Sequence, residues 1–277
     1  MIKEGIKVAI SHRGYKGAWE NNPHIIADDS GLLYDVQQTG DEAYLIASSL
    51  PQIPVAVGRK RKEAIQLLLQ NYPDLEIMIL DDALQHYYVH RDLDIISFDA
   101  SLGLGNGFVL PAGYLREPIS NIPPNSIAVI NHKNEEQTQI PWLEKIIRKG
   151  MPVFHCFSSP SCFKDAAGNT FPFSYIEGKR IVLTSAIANP DSFEQSVCSL
   201  GLSFMKHYAF KDHYAFSNTS LPQKLLELNP DFILCTQKDI MKLAKYESLK
   251  SRLLALELEY SFEQQEQFVN LVLSYVR

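Results

Sequence analysis

Residues 76–86 read EIMILDDALQH, an apolar run that ends in two adjacent aspartates, with Gln85 and His86 close behind. Open parallel sheets bind ligands at the carboxyl ends of their strands, so Asp81 and Asp82 stand where a site is built. One carboxylate can hold Mg²⁺ directly or through water, and its neighbour can take a second position on the metal or orient an acceptor. Alone, Asp82 reads as a cap of the following turn; paired with Asp81 and followed by Gln85 and His86, it points towards chemistry. Nucleotide-hydrolysing proteins place such acids beside a G-x-x-x-x-G-K-[ST] loop, whose backbone amides cradle phosphates while its lysine neutralises them. These 277 residues contain no such loop. Their one Gly-Lys pair, Gly178-Lys179, is followed by Arg180 and has Phe173 at the first glycine position, and GLGNG lacks the lysine.

Other candidates are weaker one by one. TGDEAYLI sets Asp41 and Glu42 at a helix start, where capping is the simpler role for an aspartate. KDHYAF sets Asp212 beside His213 after a strand, where a lone histidine is an ordinary surface residue. Together, Asp41 and His213 can supply a base and its partner. In GYLREP, Arg116 can grip phosphate and Glu117 can complete a metal shell; the plain alternative is a surface ion pair in a Gly/Pro-rich loop. VGRKRKEA crowds Arg59, Lys60, Arg61 and Lys62 at a helix start, a poor place for cations without an anionic ligand. HYYVH spaces two histidines at i and i+4 but lacks the glutamate of a zinc-protease motif.

The elements that must carry these residues follow from periodicity. Strands are expected from Ile6 to Ile10 and in IPVAVG, EIMILDD, LDIISFDA and SIAVINH and, in a second α/β series after MPVFHCF, in KRIVLTSAIA, FMKHYAF and DFILCTQ. A short hairpin is expected around DDSGLLYD. Helices are expected in DEAYLIASSL, RKEAIQLLLQNY, NPDSFEQSVCSLGL and EQQEQFVNLVLSYVR. This alternation implies an α/β fold with a mostly parallel sheet covered on both faces. The predicted boundary lies near residue 150, giving lobes 1–150 and 151–277 with a cleft between them. The opening MIKEG reads as a last helical turn closed by Gly5.

Composition narrows the function. With 45% hydrophobic residues the chain can bury a large core, and 26 Lys+Arg against 32 Asp+Glu argues against a general nucleic-acid binder. The four cysteines show no CxxC spacing and read as reduced, mostly buried thiols. No run approaches the ~18 apolar residues of a membrane span.

RGYKG, GDEAYLIA, VGRKRKEA, ILDDALQH, LPAGYLREP, SAIANPDSF, DHYAF and TQKD, taken in order, resemble the tetraacyldisaccharide 4′-kinase (lipid A 4′-kinase) family from about residue 6 to 250. The resemblance implies a P-loop-NTPase-like, mostly parallel sheet with a second, smaller α/β lobe. It implies transfer of the γ-phosphoryl of ATP, with Mg²⁺, onto the 4′-hydroxyl of the tetraacyldisaccharide 1-phosphate precursor of lipid A. The place implied is the cytoplasmic face of the bacterial inner membrane, through peripheral contact. By the same resemblance Asp41 is the catalytic base and His213 its partner. Arg13, Tyr15, Glu42 and Arg61 serve the substrate, Gln85, His86 and Arg116 the nucleotide phosphates, and Asp81, Asp82 and Glu117 the metal. Ala83 stands where the family often has glycine, and His12 where serine usually precedes RGY.

The larger departure is at the front. The family begins with an apolar membrane-associating helix, a strand and the Walker A loop with its helix. Here the expectation is a chain that starts at the end of that helix, without the anchor helix, first strand and P-loop, and is impaired as a kinase. The alternatives are a non-catalytic module binding the disaccharide or a partner, and, more weakly, a Mg²⁺-dependent phosphoester hydrolase.

Overall fold

A computed structural model describes residues 5–133, 140, 142–147 and 149–276. In chain order the strands are β1 (Val8–His12), β2 (His24–Asp28), β3 (Gly31–Leu32), β4 (Val55–Val57), β5 (Ile77–Leu80), β6 (Asp94–Asp99) and β7 (Ser126–Lys133). They continue with β8 (Val153–Lys164), β9 (Thr170–Phe171), β10 (Ile181–Ser185), β11 (Lys206–Ala209), β12 (Phe232–Thr236) and β13 (Leu253–Phe262). The helices are α1 (Val36–Thr39), α2 (Asp41–Ser49), α3 (Arg61–Asn71), α4 (Leu143–Ile147), α5 (Pro190–Ser199), α6 (Leu221–Leu226), α7 (Gln237–Leu243), α8 (Glu247–Lys250) and α9 (Gln265–Leu273). The α/β class expected from the alternation is what the chain adopts. The helical turn read in MIKEG falls on Met1–Glu4, outside the described residues; Gly5 itself has φ +77°.

Two compact units emerge. The first gathers Met1–Ile10, Leu68–Ser159 and Glu259–Arg277, the second Ser11–Leu67 and Pro160–Leu258. They interleave because β1, α3, β8 and β13 each carry the chain from one unit into the other. This partition differs from contiguous halves 1–150 and 151–277.

In the first unit β6, β7 and β8 pair in parallel, with Ile95 opposite Ile127 and Ile130 opposite His155. Side chains alternate faces along a strand, so a strand covered on both sides must be apolar throughout. β7 obeys this. Ala128 and Ile130 pack with Phe98, Leu104 and Ile146, while Ile127 and Val129 pack with Phe154, Phe262 and Phe268. β5 is tied to the chain ahead of β1 by the Glu76 and Ile77 amides, which donate to the Lys7 carbonyl at 3.0 and 3.1 Å.

In the second unit β11, β10, β12 and β13 run parallel. Val182, Ile233, Cys235, Leu253 and Ala255 face one core, and Ile181, Leu183, Leu234, Leu254 and Leu256 the other. The expected hairpin is present as β2–β3, and β2 also pairs antiparallel with β4, so this part of the unit departs from the parallel expectation. β13 is the strand that local pattern hides. Its LLALEL segment consists of good helix formers, yet Ile233–Thr236 offer it a parallel register from Leu253 to Leu256. Burial on both faces overrides propensity there. All four cysteines are free; Cys156 and Cys235 are buried but Cys198 is exposed, which corrects the expectation of mostly buried thiols.

The cores make a stability prediction. Ile130→Ala, at a fully buried position, is expected to cost about 2–5 kcal/mol. Ile95→Ala, at a position 48% exposed one strand away, is expected to cost under about 1 kcal/mol. Urea unfolding midpoints check the pair, and equal losses would contradict the assigned faces of β6 and β7.

Candidate functional site

In the second unit a loop, two helix starts and a tight turn bring the first group of candidates together. Asp35 caps α1 in a reciprocal box with Gln38, and Gly40 (φ +85°) ends α1 and opens α2, so that Asp41 is the first residue of α2. The RGYKG loop is strapped onto this corner by the Ala18 and Trp19 amides, which donate to the Gln37 and Gln38 carbonyls at 3.1 and 3.0 Å. Gly17 permits the approach: a Cβ there would stand 2.6 Å from the Gly40 nitrogen and the Thr39 carbonyl carbon. Arg13 Nε donates to Glu20 at 2.8 Å, and its guanidinium lies 5.2 Å from the Tyr15 ring centre. Tyr15 in turn meets the His213 ring edge-on at 5.2 Å.

Asp41 Oδ2 is the focus. Lys242 Nζ donates to it at 2.8 Å and His213 Nδ1 stands 3.5 Å away. His213 adopts φ +58°, a conformation rare for a residue with a Cβ. Its Nε2 lies 3.4 Å from Lys238 Nζ. The same Nε2 lies 3.6 Å from Asp212 Oδ2, so it faces a donor and an acceptor together. Lys238 also pairs with Glu42 at 3.1 Å and Asp212 at 3.7 Å. The Gly14 amide donates to His12 Nδ1 at 2.9 Å, which leaves Nε2–H directed at Glu42 Oε2, 3.6 Å away. His12 first, then the Lys238 ammonium, hold the Glu42 carboxyl down to about 2 against the opposing effect of burial. The basic run at the start of α3 divides: Lys60 is exposed and bonds Glu63 at 2.9 Å, whereas Arg61 is only 1% exposed.

The first unit holds the second group. Asp81 and Asp82 follow β5 directly, Asp82 at φ +48°. Arg116 Nη1 donates to Asp82 Oδ1 at 2.5 Å. Gln85 Nε2 donates to Glu117 Oε1 at 2.8 Å, and the Tyr87 hydroxyl donates to Glu117 Oε2. That bond raises the Tyr87 phenol above its ordinary value. His86 Nδ1 lies 2.7 Å from the Tyr88 hydroxyl. Residues 86–90 form turns rather than a helix, so His86 and His90 are not one turn apart on a helix face. Arg91 secures the loop from behind by bonding the His86, Val89 and Leu84 carbonyls and, at 2.6 Å, Asp94. The LPAGYLREP loop is closed by Leu115, whose amide donates to Phe108 and whose carbonyl accepts from Leu110. Gly113 is required there, since a Cβ would fall 2.2 Å from the Phe108 oxygen.

Among the described residues no group of three or more His, Cys, Asp or Glu side chains is gathered as a metal cage. Mg²⁺ does not need one, because it commonly takes one or two carboxylates and fills its shell with water and phosphate. The partly exposed Asp82 carboxylate at the tip of β5 has the donor chemistry for it. Among the described residues no helix is long and apolar enough to cross a membrane. Sequence reasoning missed Lys238, Asp239 and Lys242, whose signal was the spacing KDxxK straight after an apolar strand. It also missed Arg91, signalled by RxxD.

The profile of the family described as tetraacyldisaccharide-1-P 4′-kinase (LpxK) matches residues 1–277. A tetraacyldisaccharide 4′-kinase of Desulfatibacillum aliphaticivorans is 29% identical, covering 95% of this chain and 73% of the relative. One from Chromobacterium violaceum is 34% identical, covering 87% of this chain and 66% of the relative. The crystal structure of LpxK from Aquifex aeolicus in complex with ATP superposes with a TM-score of 0.76 at 25% identity, covering 100% of this chain and 81% of that one.

Two expectations follow from the geometry. Gly17→Ala is expected to cost about 1–3 kcal/mol by overpacking, read as a lowered thermal midpoint, because backbone rather than a mobile side chain stands in the way. The depressed Glu42 carboxyl contributes stability that is present above its ordinary value of 4.5 and is lost as pH falls through about 2. Glu42→Gln is therefore expected to be less stable than the parent near neutral pH, with the gap closing only below 4.5. A gap that widens on acidification would refute the assignment.

Proposed function

We propose that this chain, which belongs to the tetraacyldisaccharide-1-P 4′-kinase family, supplies the acceptor-activating and metal-facing parts of a kinase acting on the 4′-hydroxyl of a tetraacyldisaccharide 1-phosphate. One observation carries the reading: Asp41 is held through Oδ2 by Lys242 and His213, while Oδ1 accepts no hydrogen bond among the described residues. A carboxylate fixed on one oxygen and available on the other is equipped to take a hydroxyl proton.

In the proposed step the acceptor oxygen forms a bond to the γ-phosphorus of ATP as its proton passes to Asp41. The bond from that phosphorus to the oxygen bridging it to the β-phosphate breaks, and its electron pair leaves with ADP. His213 steadies the carboxylate and, with Arg13, Tyr15, Glu42 and Arg61, belongs to the substrate side. Asp81, Asp82 and Glu117 would hold Mg²⁺, which when bound neutralises developing phosphate charge. Arg116, Gln85 and His86 lie beside those acids and are suited to phosphate oxygens. The acylated substrate implies work at the cytoplasmic face of the inner membrane by peripheral contact.

A second reading, a disaccharide-binding module without turnover, is favoured by one observation: no G-x-x-x-x-G-K-[ST] occurs within these 277 residues. The two readings part in one experiment. The 277-residue chain is assayed with ATP, Mg²⁺ and the disaccharide 1-phosphate, alone and fused behind the Walker A segment of the Aquifex relative. Little transfer alone and restored transfer in the fusion are expected. Asp41→Asn in the fusion is expected to lower kcat by about 10²–10⁴-fold with KM little changed. Disaccharide binding without transfer by either form favours the module, and rapid transfer by the unfused chain refutes the need for the loop.

A further inference from the structure

The Lys242 ammonium makes two hydrogen bonds and one buried ion pair. Nζ donates to Asp41 Oδ2 at 2.8 Å and to the Tyr214 carbonyl at 3.1 Å, and is ion-paired with Asp239 Oδ1 at 3.1 Å. The Phe216 ring lies 5.2 Å from it. The side chain is only 5% exposed and Asp239 is completely buried. Asp239 is itself anchored, because its Oδ2 accepts from the Ala186 amide at 2.8 Å and from Thr236 Oγ1 at 2.7 Å. Ala186 follows β10, Thr236 ends β12, and the Ala186 carbonyl accepts the His213 amide at 3.2 Å. A rigid chain of contacts therefore runs from the ends of two parallel strands through Asp239 and Lys242 to Asp41. The same strand end seats His213.

We propose that Lys242, seated on Asp239, is a positioning residue of this site: its ammonium holds Asp41 by Oδ2 and leaves Oδ1 to receive the acceptor proton. This inference rests on the reading of Asp41 as the base. A flexible or solvent-exposed lysine could only lend charge. A buried one held by two hydrogen bonds and a buried counter-ion fixes both the place and the rotation of the carboxylate. Arginine is a poor substitute, because its larger planar fork does not centre its donors and charge on one nitrogen.

The test joins an activity-independent measurement on the 277-residue chain to kinetics on the fusion described above. Hydrogen exchange of the Lys242 ammonium is followed by ¹⁵N NMR in the parent and in Asp41→Asn, a near-isosteric change that leaves Lys242 and Asp239 intact. Exchange faster by about tenfold or more is expected, as one charge-assisted bond is lost. Unchanged exchange overturns the inference. Single-turnover transfer from labelled ATP is then compared in Lys242→Met, Lys242→Arg, Asp41→Asn and the Lys242→Met/Asp41→Asn double variant, each checked for folding by circular dichroism. Losses of roughly 10²-fold, the scale of a misplaced catalytic group, are expected in both lysine variants, with the double variant no worse than Asp41→Asn alone. Losses that multiply, or parental rates in both lysine variants beside an impaired Asp41→Asn, overturn the inference and leave the base assignment standing. A parental rate in Asp41→Asn overturns both. Where Lys242→Met does not fold, Lys242→Arg takes its place; where no transfer is measurable, the exchange result decides.

Discussion

An ammonium cannot be buried without partners, and the second unit is organised around that constraint. Removing a charge from water costs several kcal/mol unless geometry and hydrogen bonds repay it. Lys242 meets the requirement with partners from three segments: hydrogen-bond acceptors at Asp41 and Tyr214 and a buried counter-ion at Asp239. Those segments are the start of α2, the turn after β11 and α7. None can shift independently without stranding a charge. The placement of Asp41 is thus a by-product of satisfying Lys242, and the strained φ values at His213 and Phe216 fall in the turn that delivers the Tyr214 carbonyl. Unusual backbone persists where the surroundings over-determine it.

Backbone against backbone is the second constraint. Gly17 in one unit and Gly113 in the other are positions where any side chain would strike main-chain atoms. Each lies in a loop carrying candidate residues, RGYKG with Arg13 and Tyr15 and LPAGYLREP with Arg116 and Glu117. Loops held by main-chain contact place side chains more exactly than loops held by side-chain packing, because fewer torsions intervene. Arg91 serves the acid loop the same way, gripping three carbonyls from outside the motif.

Much of this was legible in the chain. The strands that end in Leu80, Asp99, Ser185 and Thr236 are short apolar runs with turn residues after them, and α5 announces itself by Asn189-Pro190, whose Asn189 side chain accepts from the Ser192 amide. Asp81, Asp82, Gln85, Arg116 and Glu117 could be nominated because unlike residues with one chemical purpose sit in compact motifs. β13 could not, since its helix-forming residues take strand form only where β12 offers a register. Nor could Lys242: a lysine four residues after another reads as solvated. Only tertiary contact reveals that it is buried and what its ammonium meets.

The two groups of acids differ in one respect that bears on what each can do. Asp82 and Arg116 are both more than half exposed, so their ion pair is worth about 0–1 kcal/mol and can be exchanged at little cost. Glu117 likewise leans on Gln85 and Tyr87, partners whose own alternatives in water are good. Asp41 and Lys242 are enclosed, and separating them would leave an unpaired charge inside the unit. Charges that must follow a metal and a moving phosphate have to trade partners, whereas a base must already be in place when the hydroxyl arrives. The cheap pair lies at the tip of β5 and the expensive one at the start of α2. On the proposed reading, that distribution suits metal-assisted phosphoryl transfer.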